Sequence, residues 1–254
     1  MWDELFLVPF LTGLCLALTL PLLGCFLRLR DEWLAALAYA HVAAAGALLA
    51  LVAGFAPALG GMGAAALAGA GKRFVAARLA GGAAFALLLL GGWAVAVLLA
   101  SNQPLAERLG HALFDGQLYF SGSDNFYVIL PWCIFAIPAL VWLSRQLLLA
   151  RIYPDYFHAQ HLPVWPVVGG FDLLAALTLA LATMTLGVMG GFALVFVPPW
   201  IVFRRARSWR SSLLFSALIG LLAYIAAFAL ALALDQPFGP VLALLLIVVG
   251  LLIA

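Results

Sequence analysis

Apolar residues run along this chain in long stretches, and the polar segments between them are short. Stretches over 5–27, 33–54, 57–71, 76–100, 126–149, 167–186, 188–203, 211–233 and 238–254 are continuous enough to be read as membrane spans. A run such as Ala84–Leu90 shows none of the apolar–polar alternation that a membrane β-strand requires. Each stretch is therefore predicted to be a helix, the conformation that satisfies its own backbone hydrogen bonds in lipid. The third and seventh stretches are short and rich in glycine (Gly60, Gly61 and Gly63; Gly187, Gly190 and Gly191). Those glycines allow close helix packing or mark broken helices. The pattern predicts an all-α integral membrane protein with about nine transmembrane helices, forming one domain over residues 1–254.

Composition sharpens that reading. Of 254 residues, 67% are hydrophobic and 9% charged, where a soluble domain carries about 25% charged residues. Too few charges are present to cover a water-facing surface. This excludes a soluble enzyme, a nucleic-acid binder and a disordered chain. A net charge of +2 is too small to imply a polyanionic partner. Cys15, Cys25 and Cys133 are odd in number and lie in apolar stretches, so they read as small buried hydrophobes. Asp3 and Glu4 stand where a cleavable signal would be basic, and the first helix is expected to be retained.

Nine spans with the N-terminus outside place eleven of the 12 basic residues on one side, from Arg28 and Arg30 to Arg207 and Arg210. Arg108 alone falls on the other side. The positive-inside rule makes the first side cytoplasmic, with the C-terminus inside. Two loops exceed a tight turn. The outer one, 101–125, is predicted to hold a short surface helix over Leu105–Phe114. The inner one, 150–166, is predicted to hold a short helix from Asp155 to Leu162, started by Pro154 and ended by Pro163 and Pro166. That inner helix is either a docking point for a soluble partner or an ordinary interfacial loop.

Ionisable residues inside spans are candidates for function because burying them is costly. Asp172 lies about a turn into the sixth span, where capping or reaching the headgroups would explain it equally well. His41 lies nine residues into the second span, about 12–14 Å from its cytoplasmic edge at ~1.5 Å per residue. An imidazole there can bond a neighbouring helix or ligate a metal. His111, His158 and His161 fall in loops. His158 and His161, with Asp155 one turn earlier, have helical spacing but no evident fourth ligand. No phosphate-binding loop, nucleophile elbow or zinc-protease motif is present, and nothing points to an enzyme.

Several segments together resemble the membrane permeases of ABC importers for zinc, manganese and iron. The stretch LPLLGCFLRLRDEWLAALAYAHVAAAG is similar to that family's opening. There a span ends in glycine and an arginine pair, and the next helix bears Gly-Asp-x-x-x-His and a downstream glycine. His41 and Gly46 keep that spacing. Leu113, Phe114, Asp115, Gly116 and the later Asp124 resemble an outer Leu-Phe-Gly segment. Asp155 to Pro163, with Ala159 retained and Leu162 at an apolar position, resembles the segment that couples to the ATPase. Gly187 and Pro198 bracket an apolar helix in the same manner. Asp235, Pro237, Gly239 and Pro240 resemble the last outer turn.

The resemblance implies a compact permease fold of the cobalamin-importer type in the cytoplasmic membrane. Two permease copies would pair with two cytoplasmic ATPases and an extracytoplasmic metal-binding protein. ATP hydrolysis would belong to the partner, and no cofactor would be bound permanently. A divalent metal ion, zinc first and then manganese or iron, would be the transported substrate. His41 would lie on the pathway. Asp155, Tyr156, Phe157, His158, Ala159 and His161 would form the ATPase-coupling loop. One departure stands out: the family's aspartate position is Leu37, and its neighbouring glycine is Ala36. A leucine cannot ligate a cation. The metal would then have a different first shell, or the pathway would be less selective, or the substrate is no metal. A permease or secondary transporter for a small organic or metal-chelate substrate, and an accessory membrane protein without a pathway, remain as other readings.

Overall fold

A computed structural model describes residues 2–76, 82–116, 118–120, 122–153 and 155–253. The described residues form eleven α-helices and one 3-10 turn, with no strand among them. In chain order the helices are α1 (Trp2–Leu29), α2 (Trp33–Val52), α3 (Pro57–Ala76), α4 (Ala83–Asn102), α5 (Pro104–Asp115), α6 (Ser123–Ile152), α7 (Asp155–Ala159), α8 (Trp165–Thr185), α9 (Gly187–Val202), α10 (Trp209–Leu234) and α11 (Phe238–Ile253). The 3-10 turn, Leu118–Phe120, joins α5 to α6.

Nine of these helices overlie the nine predicted stretches, and α5 and α7 are the short helices expected in the two long loops. Six helices, α1, α2, α4, α6, α8 and α10, are both long and apolar enough to cross a bilayer by themselves. Helices α9 and α11 have 16 residues each, or ~24 Å at 1.5 Å per residue, against a hydrocarbon core of about 30 Å. Helix α3 has 20 residues, and Lys72 and Arg73 near its end make it more polar. The start of the predicted fourth stretch, with Arg78, lies outside the described residues.

Helix α2 is built mostly of alanine, and Ala35, Ala36, Ala38, Ala43, Ala44 and Ala47 are all fully buried. It packs against α3, α4 and α8. Small side chains let these backbones approach closely, the usual basis of helix association in membranes. Gly46 of α2 and Gly60 of α3 face each other so closely that a Cβ on either would run into the carbonyl of the other. Polar side chains in the spans find partners locally. The hydroxyls of Thr12, Thr19, Thr178 and Thr183 each donate to the carbonyl four residues earlier. Others tie helices together. Tyr224 Oη donates to the Phe10 carbonyl at 2.8 Å, Trp132 Nε1 to Thr178 Oγ1 at 3.0 Å, and Trp209 Nε1 to Ser144 Oγ at 3.0 Å.

The helix ends gather into two clusters at opposite ends of the bundle. At one end, the end of α1, the start of α2, the end of α3 and the start of α8 meet through charged side chains described below. At the other, the end of α5, the α8–α9 junction and the start of α11 meet through glycines. Gly187 has φ +77° and Gly116 has φ +90°, the left-handed region open mainly to glycine. A Cβ on Gly187 would lie 2.8 Å from the Phe114 carbonyl oxygen, and one on Gly116 would lie 2.7 Å from the Leu186 carbonyl carbon. Gly239 is pressed against the Asp115 carbonyl in the same place. Beside them Tyr119, Phe228 and Phe238 join Phe6 and Phe10 of α1.

A Gly187→Ala variant is expected to lose stability through both the backbone strain, about 1–3 kcal/mol, and the lack of space. Tyr224→Phe removes one interhelical hydrogen bond, a change of about 0.6 kcal/mol and at most roughly 1.7. Thermal unfolding in one detergent should therefore show a larger loss for Gly187→Ala. Equal losses would mean that the glycine junction is not as tight as described.

Candidate functional site

Helices α2, α4, α5 and α9 enclose a cavity of about 740 Å³. Its walls are mostly apolar, with Leu89, Trp93, Val97, Phe114 and Phe192 among them. Four polar residues line it: His41, Ser101, Glu107 and His111. The Ser101 hydroxyl is occupied, donating to the Val97 carbonyl at 2.8 Å. Both Leu37 and His41 of α2 are lining residues, so the two sequence-predicted positions do belong to one concave site.

His41 is held by its own helix. Its Nδ1 lies 2.8 Å from the Leu37 carbonyl. A carbonyl can only accept, so in the neutral ring Nδ1 carries the proton and Nε2 keeps its lone pair. Fixing one ring nitrogen in this way is how proteins orient a ligating imidazole. The ring also contacts Phe114 and Trp93, with centroids 5.6 and 6.3 Å away. Behind it, α4 comes to the backbone itself. A Cβ on Gly92 would lie 2.8 Å from both the His41 carbonyl carbon and the Val42 nitrogen. Leu37 thus serves His41 through its backbone oxygen, whatever its side chain.

Asp172, read from sequence as capping its helix or reaching the headgroups, does neither. It is buried in a cluster of four charges from four parts of the chain. Lys72 Nζ sits 2.8 Å from both carboxylate oxygens of Glu32 and 3.0 Å from Asp172 Oδ1. Arg30 Nη1 is 3.0 Å from Asp172 Oδ1, and Arg30 Nη2 is 3.0 Å from Glu32 Oε2. The first of these Arg30 contacts is an ion pair without hydrogen-bond alignment. The Arg30 guanidinium also lies 5.0 Å from the Phe171 ring centroid, and the Lys72 ammonium 5.0 Å from that of Phe85. Two cations and two anions leave the cluster neutral. A second cavity, about 860 Å³, opens beside it between these residues, Trp165 and Gly169.

The short helix predicted from Asp155 is present but shorter than expected: α7 covers Asp155–Ala159 rather than reaching Leu162. His161 takes φ +51° and ends it. Asp155, Ala159, His161 and Leu162 are exposed, and so is Tyr156. Phe157 turns inward and is buried, with its ring edge-on to Tyr156 at 5.5 Å. The side chain of His158 and the whole of Pro154 lie outside the described residues. Among the described residues, no three His, Cys, Asp or Glu side chains converge as a metal site. Gly92, Trp93, Glu107 and the partners of Asp172 were not picked out as a group from sequence. Only the Glu107–His111 spacing on one short helix could have been noticed there.

The model of the ABC 3 transport family matches residues 3–254, and the chain belongs to that family. It is a multi-pass membrane permease subunit of the ABC transporter class. Its fold is similar to that of PsaBC from Streptococcus pneumoniae, solved in complex with Fab. The TM-score is 0.83 at 19% identity, covering 98% of this chain and 90% of that one. It is also similar to an inward-facing ABC transporter provisionally assigned to the metal-chelate type. There the TM-score is 0.73 at 20% identity, covering 96% and 82%. No curated protein sequence matches the chain significantly.

The four-charge cluster generates a prediction of its own. Lys72→Met leaves Glu32 and Asp172 facing one cation instead of two. Removing one partner of a buried ion pair costs about 3–5 kcal/mol. Lys72→Met together with Asp172→Leu removes one charge of each sign and should recover most of that loss. Unfolding midpoints of the single and double variants check this. A double variant no more stable than the single would show that the charges do not act as one unit.

Proposed function

We propose that this chain is the permease subunit of an ABC importer for a divalent transition metal, with zinc the first candidate and manganese or iron next. The observation that carries the proposal is the cavity that reaches His41 in the middle of α2. Support comes from the family assignment, from the keeping of His41 at the family's histidine position, and from the metal-chelate assignment of one structural relative. In this reading the chain makes nine crossings in a fold of the cobalamin-importer kind. The end carrying the four charges faces the cytoplasm, and so does the C-terminus. The contacts are compatible with nine crossings, because α9 and α11 each run from the glycine junction toward the opposite end. Phe203, just past α9, lies beneath Arg28, and Gly250 of α11 packs on Trp200.

The transport work divides between chains. A cytoplasmic ATPase binds the 155–162 segment, an extracytoplasmic binding protein delivers the ion, and a second permease copy completes the path. Within this chain, α8 begins six residues after α7 and carries Asp172, about 10 Å along its axis at 1.5 Å per residue. Asp172 grips Arg30 and Lys72, which flank the start of α2. Movement of α7 on the ATPase is thereby delivered to the helix that bears His41. Conduction asks for a ligand weak enough to release the ion, and one imidazole with a free Nε2 meets that need.

A second reading is favoured by one feature. The cavity is large and mainly apolar, and Leu37 replaces a carboxylate. That lining also suits a metal chelate or a small organic molecule, whose own ligands satisfy the ion.

The reading makes four outcomes measurable. His41→Ala should lose most uptake of free metal while the complex with the ATPase still assembles. Leu37→Asp, which adds a carboxylate one turn away, should raise affinity or slow release. Wild-type uptake by His41→Ala across the working concentration range would remove His41 from the path. Tyr156→Asp, on the exposed side of α7, should weaken ATPase association and transport together. Unchanged association would exclude α7 as the docking element. Cysteine labelling at position 207 should proceed only from the cytoplasmic side, and labelling from outside would invert the topology.

A further inference from the structure

The carboxylate missing from α2 has a counterpart on another helix. Glu107 and His111 lie four residues apart on α5, so their side chains share one face of that helix. Both line the same cavity as His41. Both are exposed, and among the described residues neither makes a side-chain hydrogen bond or ion pair. The rest of α5 explains why they sit there. Pro104 starts the helix, Ala106, Gly110 and Leu113 form its buried face, and Gly116 stops it against the α8–α9 junction. The helix is therefore fixed by its apolar face and by its C-terminal glycine. The Glu107–His111 pair does not take part in either anchor.

We propose that Glu107 and His111 form a two-ligand capture site for a divalent transition-metal ion at the α5 mouth of the cavity, ahead of His41. One carboxylate oxygen and one imidazole nitrogen, four residues apart on a helix, can reach a common ion, as paired residues at that spacing do in helical zinc motifs. A site with two protein ligands leaves the remaining positions to water. This agrees with the lack of any three-residue ligand cluster among the described residues. Such a site holds an ion without trapping it. A mixed nitrogen and oxygen donor set also selects among ions. It favours later first-row metals over magnesium and calcium, which prefer all-oxygen shells. Selection would then occur at the mouth, and the single imidazole deeper in the cavity would only pass the ion on.

The inference rests on the metal-import reading for its place in transport but not for the binding itself, and the test separates the two. The whole permease, assembled with its ATPase in lipid nanodiscs, is titrated with Co²⁺ alone and its visible absorption followed. Glu107→Gln with His111→Gln should weaken Co²⁺ binding at least tenfold, whereas His41→Ala should retain this binding. Glu107→His, which sets two imidazoles at the same spacing, should tighten it. In vesicles, the Gln/Gln variant should raise the half-saturating Zn²⁺ concentration for uptake several-fold. An unchanged Co²⁺ titration in the Gln/Gln variant, or no tightening in Glu107→His, overturns the capture site. Wild-type protein that binds Co²⁺ through these residues yet imports no divalent ion overturns the metal-import reading and leaves the site standing.

Discussion

Lipid chains are as apolar as leucine, so two helices in a bilayer gain little from burying leucine against each other. Association then depends on how closely backbones can approach, and this bundle is organised by that limit. Gly46 meets Gly60, Gly24 meets the Val195 carbonyl, and Gly92 meets the backbone of His41. Helix α2 is the extreme case, a core of alanines surrounded by α3, α4 and α8. A helix this thin places its few large side chains conspicuously. His41 and Leu37 project where α2 faces the cavity. The same close packing that holds the bundle together therefore sets which residues reach the cavity.

The charged cluster is the counterweight to that packing. Taking four ionised groups out of water costs several kcal/mol per ion even after relaxation. The structure offsets this with short contacts, all between opposite charges: Lys72 and Arg30 each touch both Glu32 and Asp172. Close packing by glycine and alanine is permissive, because small residues fit in several registers. Opposed charges are not. A slip of α3 or α8 by one turn would move Lys72 or Asp172 by about 5.4 Å and break the pairs. The cluster thus fixes the relative height of three elements that small side chains alone would leave adjustable.

Much of the helix layout was legible in the sequence, because a bilayer leaves few alternatives. Every predicted apolar stretch has its helix, and the short helix at 105–114 is observed as Pro104–Asp115. Legibility failed where the decisive term is three-dimensional. Asp172 looked like a capping or headgroup-facing residue, since its partners lie 100 and about 140 positions away in the chain. Arg30 and Lys72 counted as evidence for a positive cytoplasmic surface, yet both are spent on that cluster. Phe157 read as part of an exposed docking face, but only the fold could show that it turns inward while Tyr156 stays out. The site was half legible. His41 stood out as a lone ionisable group in an apolar helix. Gly92 did not, because a glycine that supports a neighbour's backbone looks like any other glycine in a span.

The loss of the carboxylate at position 37 has a consequence for how the ion would be handled along the path. An aspartate one turn from His41 would give two ligands at one depth, a tighter stop in the middle of the membrane. With leucine there, the middle of the proposed path would offer one imidazole among Trp93, Phe114 and other apolar groups. An ion entering such a place must keep most of its water or bring its own ligands. The volume of the cavity permits either, and a fully stripped ion would be poorly held. Under that proposal, discrimination between ions would be weakest where the walls are most apolar and would have to be exercised nearer the mouth. Among the described residues, Glu107 and His111 are the ionisable side chains that line the cavity besides His41. In the proposed import reading, the departure at Leu37 would move the selective step along the path instead of abolishing it.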